Sequence, residues 1–192
     1  DSAGSKPTTK PGEKRVAPGG NLTLVRRELG DSGASIELPE VLGEASQKGE
    51  RGRATVYEFG DMGDKQQLLA VVQYKQPKPL KKKAALRAAF DQAVAQVKAD
   101  RLRAPGVTEL TPPKRSEIDG WPTIELHARV QDSVQGRGLV QARTGSITVL
   151  WYLFTDLLPE SMQVDLKAAV TSLKESDSDA GSKKKGGKKK RR

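Results

Sequence analysis

The fold is decided by residues 120–154, which read GWPTIELHARVQDSVQGRGLVQARTGSITVLWYLF. The stretch contains three strand-like runs separated by glycine. In the first run apolar residues alternate with Glu125, His127 and Arg129, which predicts a strand with one face in the core and one polar face. In the last run apolar residues occur on both faces of the strand, so we expect the strand to be central and covered on both faces.

The surrounding sequence supplies further elements on both sides of this stretch. The second and third runs predict a hairpin about Gly145 and Ser146. Apolar residues at helical spacing predict a long helix of about six turns from Leu80 to Arg103 and a closing helix from about Pro159 to Lys174. Shorter β-type runs are Asn21–Leu29, Ala34–Leu38, Arg53–Phe59 and Gln67–Tyr74.

These elements predict an α+β protein. We expect a central antiparallel β-sheet of about six strands, flanked by helices on both faces as an αβα sandwich, with disordered termini. The domain limits follow from composition: residues 1–20 read as a disordered linker, residues 21–176 as a single α/β domain, and residues 177–192 as a disordered acidic-then-basic tail.

Charge is distributed unevenly along the 192 residues. The formal net charge is +10, but the last ten residues contribute eight basic groups, so the preceding 182 residues sum to only +2. Cysteine is absent, which excludes disulfides and thiol chemistry and leaves the redox compartment open. No apolar run reaches the length of about 18 residues that a membrane-spanning helix needs.

The tail is the first candidate binding site. A lysine- and arginine-rich segment without aromatic residues binds polyanions through charge and counterion release and reads no base sequence. We expect its partner to be an anionic membrane surface or a nucleic acid, and the alternative is a solubilising tail or an engineered extension. The predicted polyanion-binding residues are Lys183, Lys184, Lys185, Lys188, Lys189, Lys190, Arg191 and Arg192.

A second candidate is the polar face of the strand that begins near Thr123. Glu125, His127 and Arg129 share that face, which predicts contact with a protein partner. His127 is the only histidine, so an imidazole-based metal site or catalytic triad would rest on it alone. We therefore expect a structural or solvent-facing imidazole, with an enzyme acting through His127 and Glu125 as the alternative.

Other motifs favour structural roles. The acidic residues near GDMGD lack the spacing of a calcium loop and read as a turn. The glycines at 136 and 138 do not complete a dinucleotide motif. Lys81, Lys82 and Lys83 at the start of the long helix indicate either a binding patch or a solvated face, and the solvated face is favoured. We expect no metal, no cofactor and no small-molecule substrate.

The order of elements resembles the PsbP-like superfamily. The resemblance covers about Asn21 to Ser176 and rests on IDGWPTIEL around Gly120, on the hairpin from Gly138 to Tyr152, and on LKAAVTSLKES with Val170–Leu173. That superfamily includes DcrB-type bacterial periplasmic proteins and lipoproteins and the nuclear-import factor that binds the Ran GTPase. The basic tail departs from the family pattern. The short Ala34–Leu38 segment departs as well, because family members often show a P-x-G-W phrase there, whereas Pro39 is followed by Glu40 and no tryptophan.

The resemblance implies a non-enzymatic binding or assembly domain with an antiparallel sheet and no catalytic residues to carry over. Because the chain begins at Asp1 rather than methionine, we expect that an upstream segment was removed, either by a signal peptidase or by deliberate truncation. The resemblance favours an exported, periplasmic or envelope-associated protein. The alternative is a nuclear or cytoplasmic, nucleic-acid-associated protein that uses the basic tail as a charge clamp or localisation signal.

Overall fold

The computed structural model describes residues 14–16, 22–29, 34–51 and 54–175. Its strands are β1 (Lys14–Val16), β2 (Thr23–Leu29), β3 (Ala34–Pro39), β4 (Ala45–Arg51), β5 (Ala54–Asp61), β6 (Gln67–Lys75), β7 (Thr108–Ile118), β8 (Trp121–Gln131), β9 (Val134–Ala142) and β10 (Ser146–Thr155). Its α-helices are α1 (Lys83–Val97), which continues as a π-helical turn over Lys98–Leu102, and α2 (Leu166–Ser172).

The strands form two antiparallel sheets. Among the described residues, the large sheet has seven strands in the order β4-β5-β6-β10-β9-β8-β7, and the small sheet has the order β1-β2-β3. The predicted hairpin is confirmed, because β9 and β10 pair from Ile147 opposite Ala142 to Thr155 opposite Val134. The central position predicted for the last run is confirmed as well, because β10 lies between β6 and β9.

The two faces of β10 belong to two separate cores, as its apolar pattern predicts. Val149 and Trp151 pack with Phe90 of α1 on one side of the large sheet. Tyr152 and Phe154 pack on the other side, in a core that also contains residues of β2, β3 and α2. The large sheet is therefore a middle layer, with α1 on one face and the small sheet with α2 on the other.

The predicted αβα sandwich is wrong. The described part of the chain is mostly strand, and helices do not flank the sheet symmetrically, because β2 and β3 supply much of the second covering layer. The closing helix is also shorter than predicted: after a 3-10 turn at Glu160–Met162 the backbone becomes extended at Gln163, and α2 begins only at Leu166.

The prediction contains too few strands because it lacks β4 and β7. β4 and β7 lie at the two ends of the strand order of the large sheet, where one side of the backbone pairs with no described strand. β7 contains Pro112 and Pro113 and two register shifts, and it is exposed at most positions. Prolines, charges and bulges are typical of edge strands, and they remove the apolar alternation by which a strand is predicted.

Of the predicted linker, the structure describes Lys14–Val16, which form β1 and pair with β2. The rest of residues 1–20 and all of residues 177–192 lie outside the described residues. The predicted polyanion-binding residues of the tail are therefore not placed by the structure.

A single close approach fixes how Trp151 lies on the sheet. Gly138 of β9 stands opposite Trp151 in the register, and a Cβ atom at Gly138 would lie 2.7 Å from atoms of the indole ring. Because such a distance is not tolerated, glycine is required for the ring to lie flat on β9. The indole then fills the core beneath α1.

Candidate functional site

Glu125, His127 and Arg129 lie on the same face of β8, as the alternation predicts, and all three are half-buried. Their face is the one that α2 and the small sheet cover elsewhere. The covering layer does not extend fully over β8, which is the second-to-last strand of the large sheet. The polar residues of β8 thus border a partly open part of the sheet.

A groove of about 360 Å³ lies beside these residues. One wall is the sheet surface of β8 and β9, and the other is the segment that leads into α2. The polar residues that line it are Glu125, His127, Arg137, Glu160, Gln163, Asp165 and Lys167, and Leu139, Val164 and Leu166 supply apolar surface.

Arg137 lies next to His127 across the strands. The two residues are register partners in the β8–β9 pair, so their side chains share the groove face of the sheet. The Arg137 guanidinium carbon lies 5.0 Å from the centre of the Phe154 ring, which is buried. Within the described part of the chain Arg137 forms no ion pair. Arg137 is thus a cation that rests on an aromatic ring and has no carboxylate partner among the described residues. Its positive charge is available to a ligand that enters the groove.

Glu125 is paired with the opposite wall. Its carboxylate oxygen lies 3.1 Å from the Lys167 ammonium of α2. The ion pair spans the groove and connects β8 with the helix. Glu125 is therefore engaged with Lys167, a contact that its position in the sequence did not indicate.

The pKa of His127 is lowered from its ordinary value of 6.5. Burial is the largest cause, and the positive charge of Arg137 adds to it. Glu125 acts in the opposite direction and raises the pKa, while Lys167 lowers it further. The imidazole is consequently neutral at neutral pH, because both its surroundings and its cationic neighbours disfavour the protonated form.

Arg129 serves a different purpose from its two neighbours. Its guanidinium donates to a carboxylate oxygen of Asp156 at 2.8 Å and to the backbone carbonyl of Asp132 at 2.7 Å. Gln135 also donates to Asp156, at 2.6 Å. The hydrogen bonds from Arg129 and Gln135 lower the pKa of Asp156. Arg129 thus ties together two turns at the far end of β8 and does not line the groove.

The α2 wall is held at both ends. At its start Asp165 accepts hydrogen bonds from the backbone N–H groups of Lys167 and Ala168, at 2.9 and 3.1 Å, as a helix N-cap. At its end the Arg143 guanidinium donates to the carbonyl oxygens of Val170 and Leu173, both at 2.9 Å. Two side chains thereby fix a helix of seven residues, too short to be stable by itself.

Arg143 is partly withdrawn from water to make these contacts. Its third donor, Nε, bonds to the side-chain oxygen of Gln141 at 2.8 Å. Burial lowers the pKa of Arg143, and the carboxylates of Glu175 and Asp119 raise it in opposition. The guanidinium remains charged, since the ordinary pKa of an arginine lies far above neutrality.

The remaining predicted motifs are placed as follows. In the GDMGD turn a carboxylate oxygen of Asp61 accepts from the backbone N–H groups of Asp64 and Lys65, which is the structural turn that we favoured. No group of three or more potential metal ligands occurs among the residues that the structure describes. Within the same residues, no helix is both long and apolar enough to cross a bilayer.

Sequence reasoning missed Arg137 and Lys167 as groove residues. Arg137 had a signal, because a hairpin about Gly145 and a strand pair with β8 bring every second residue of β9 onto the His127 face. Lys167 had none, because α2 approaches β8 only through the tertiary fold.

No family model and no curated protein matches this chain. The resemblance to the PsbP-like superfamily therefore stays a prediction.

Solved structures show weak similarity. A protein of Bacteroides thetaiotaomicron VPI-5482 aligns with a TM-score of 0.42 and 8% sequence identity over 87% of this chain, and the aligned part is 49% of that protein, so this chain spans about half its length. A Pseudomonas aeruginosa protein of unknown function aligns with a TM-score of 0.34 and 13% identity, covering 69% of this chain and 83% of that one. Similarity at this level supports no statement about function.

Proposed function

We propose that this chain is a non-enzymatic binding domain that receives a protein partner in the groove between β8, β9 and α2. In this proposal the protein is exported or envelope-associated and PsbP-like, and its polybasic tail engages an anionic surface. The groove supports the first part, because it combines fixed charges of both signs with apolar surface from Leu139, Val164 and Leu166. Such a combination suits an extended peptide segment with a charged side chain.

The observation that carries the proposal is the Arg137 guanidinium. The centre of the Phe154 ring lies 5.0 Å from the guanidinium carbon and supports the guanidinium from one side. The ring therefore orients the guanidinium without an ion pair to a described carboxylate. An arginine that is already oriented loses little conformational freedom when it binds, and its paired N–H groups match the two oxygens of a carboxylate. The partner would therefore contribute an aspartate or glutamate side chain at this point.

The same geometry supports binding over acid–base catalysis. The pKa of His127 is lowered, but its carboxylate neighbour Glu125 is paired with Lys167 at 3.1 Å. The groove lining contains no serine, threonine or cysteine among the described residues. A nucleophile with an oriented general base, which hydrolytic and transfer enzymes use, is thus not assembled in the groove.

The proposal is tested with an acidic peptide as the probe. A ¹⁵N-labelled sample of the full chain is titrated with an acetylated, amidated peptide of alternating glutamate and leucine, and with the same peptide carrying lysine for glutamate. We expect the backbone signals of His127, Arg137 and Lys167 to shift with the acidic peptide alone. In Arg137→Gln the affinity should fall by about tenfold or more, which corresponds to the loss of a charged hydrogen-bonded pair.

Arg115→Gln is the matched control, because Arg115 also lies over an aromatic ring, Phe90 at 5.7 Å, but away from the groove. It should leave the affinity unchanged. Equal losses in both variants, or shifts confined to residues outside the groove, would contradict the proposed site.

A further inference from the structure

A second cation lies in the groove, on the wall that faces the sheet. Lys167 is the second residue of α2, and it lines the groove together with Arg137 of β9. Its backbone N–H group donates to the N-cap Asp165 at 2.9 Å, so the base of its side chain is fixed. The positive charges of Arg137 and Lys167 both lower the pKa of His127, which shows that both act on the same part of the groove. The groove therefore presents one cation from the sheet and one from the helix.

Glu125 pairs with the helix cation and leaves the sheet cation free. Its carboxylate lies 3.1 Å from the Lys167 ammonium, whereas Arg137 has no ion-pair partner among the described residues. The Lys167 side chain is 56% exposed, so water reaches one side of this ion pair. An ion pair that is partly in water stabilises a protein only weakly. A carboxylate from a ligand can therefore displace Glu125 from Lys167.

The ion pair contributes little to holding α2 in place. Asp165 caps the start of the helix and Arg143 binds its last carbonyl oxygens, so both ends are already fixed. Lys167 lies in the first turn, where the helix dipole disfavours a cation. This placement offsets part of the stabilisation that the ion pair with Glu125 provides. The position of Lys167 is thus better explained by contact with a ligand than by the stability of the helix.

A displaced Glu125 would have no other partner among the described residues. Its oxygen that faces Lys167 is shielded from solvent and accepts no hydrogen bond from them. A carboxylate oxygen that is shielded and unpaired is unfavourable. A ligand that binds Lys167 must offset this cost, because the ion pair is the contact that satisfies the oxygen. Glu125 thus competes with the ligand for Lys167.

We propose that Lys167 is a second anion subsite of the groove and that Glu125 sets the selectivity of this subsite by competing for it. The inference rests on the proposed function, in which an acidic side chain of the partner binds Arg137. It adds the class of partner, an extended segment with two consecutive acidic residues. Successive side chains of an extended segment point to opposite sides, and the two cations lie on opposite walls of the groove.

The two carboxylates of such a segment bind with different consequences. The first pairs with Arg137 and leaves the ion pair between Glu125 and Lys167 intact. The second pairs with Lys167 only after it displaces Glu125. A ligand with one carboxylate is therefore insensitive to this competition, whereas a ligand with two is weakened by it.

The test compares two peptides with the full chain. Both are acetylated, amidated and of the same length, with leucine on either side of two central positions. One peptide carries two glutamates at these positions, and the other carries glutamate followed by glutamine. Isothermal titration calorimetry gives the dissociation constant of each. The selectivity is the constant of the single-glutamate peptide divided by that of the double-glutamate peptide.

Glu125→Gln removes the competing charge and keeps the shape of the side chain. The selectivity should rise about fivefold, the factor expected for releasing a partly exposed ion pair. Glu117→Gln is the matched control, because it makes the same change in net charge at an exposed position of β7 outside the groove, and it should leave the selectivity unchanged. Lys167→Gln should reduce the selectivity to about one, and adding Glu125→Gln to it should not restore the selectivity.

The wild type provides a readout that needs no variant of Glu125. In a ¹³C-labelled sample, the Cε signal of Lys167, assigned by its loss in Lys167→Gln, should shift on titration with the double-glutamate peptide and stay in place with the single-glutamate peptide. No shift with the double-glutamate peptide overturns the inference, even if Glu125→Gln disturbs the position of α2.

The outcomes separate this inference from the proposed function. An unchanged selectivity in Glu125→Gln, or an equal rise in Glu117→Gln, overturns the second subsite. If Arg137→Gln weakens the binding of both peptides while Glu125→Gln changes nothing, the proposed groove stands and the inference about Lys167 is wrong. If neither peptide binds to the wild type or to Glu125→Gln, the proposed function and this inference are both wrong.

Discussion

Replacing Arg143 by methionine should loosen the wall of the groove without changing any residue that lines it. Arg143 lies just after β9, and its guanidinium donates to the carbonyl oxygens of Val170 and Leu173 at the end of α2. Methionine keeps much of the aliphatic stem and removes the donors. The carbonyls at the end of the helix would then lose both the hydrogen bonds and a favourable positive charge.

The magnitude follows from the contacts that are lost. A hydrogen bond to a charged group contributes about 1.5 to 3 kcal/mol, and two such bonds reach the helix end. In the wild type, part of the stabilisation from these hydrogen bonds is offset, because burial disfavours the charged guanidinium and lowers the pKa of Arg143. We therefore expect Arg143→Met to lower the free energy of unfolding by about 2 to 4 kcal/mol.

Urea denaturation measures this change. With a dependence of about 2 kcal/mol per molar urea, the midpoint should fall by about 1 to 2 M. Arg103→Met is the control, because Arg103 is exposed and has no ion-pair partner among the described residues, and it should shift stability by less than about 0.5 kcal/mol. Amide hydrogen exchange should accelerate in Leu166–Ser172 before it does in β10. A shift as small as that of Arg103→Met would refute the role assigned to Arg143.

Two further predictions concern buried charge and pH. Arg26 and Glu37 form an ion pair at 2.6 Å with both side chains 4% exposed, and the partly exposed Arg15 also pairs with Glu37. Glu37→Leu leaves Arg26 buried without a carboxylate and should cost about 3 to 5 kcal/mol, whereas Glu37→Leu with Arg26→Met should recover most of the loss. A double variant as unstable as the single one in urea would contradict this. The folded-state pKa of His127 lies below 6.5, so the unfolded chain binds the proton more readily and stability should fall as the pH drops below about 6.5. His127→Asn should flatten that part of the profile of melting temperature against pH, and an unchanged slope would contradict the assignment.

The strands that were predicted correctly are those with two covered faces. In β6 and β10, apolar residues occur on both sides of the strand, and this pattern is visible without knowledge of the neighbours. The edge strand β7 was missed because most of its residues are exposed. The edge strand β4 was missed because its sequence, ASQKGER, has no alternation of large apolar residues. The long helix was found, since Phe90, Val94 and Val97 recur at helical spacing. The closing helix was predicted too long, because apolar residues spaced three or four apart before Leu166 also fit an extended segment that packs on the sheet.

The candidate site was only half visible in the sequence. Glu125, His127 and Arg129 were placed together by the two-residue period of a strand, which is a local property. Arg137 could have been added from the register of the hairpin. Lys167 could not, because its contact with Glu125 joins residues 42 positions apart through the packing of α2. Arg129 likewise pairs with Asp156, which lies in the turn after β10, and does not line the groove. The sequence pattern of β8 does not show this contact.

The sequence by itself determined the three strands within Gly120–Phe154, the two covered faces of β10 and the long helix, because each follows from the spacing of apolar residues along a short segment. Only the tertiary structure decided what covers the sheet, which cations stay unpaired and which distant segments become neighbours. The segment from Gln76 to Leu80 and the residue Glu175 show the reason. Both are fastened to the turn at Gly145 and Ser146 by hydrogen bonds between residues far apart in the chain, and local sequence patterns do not encode such contacts.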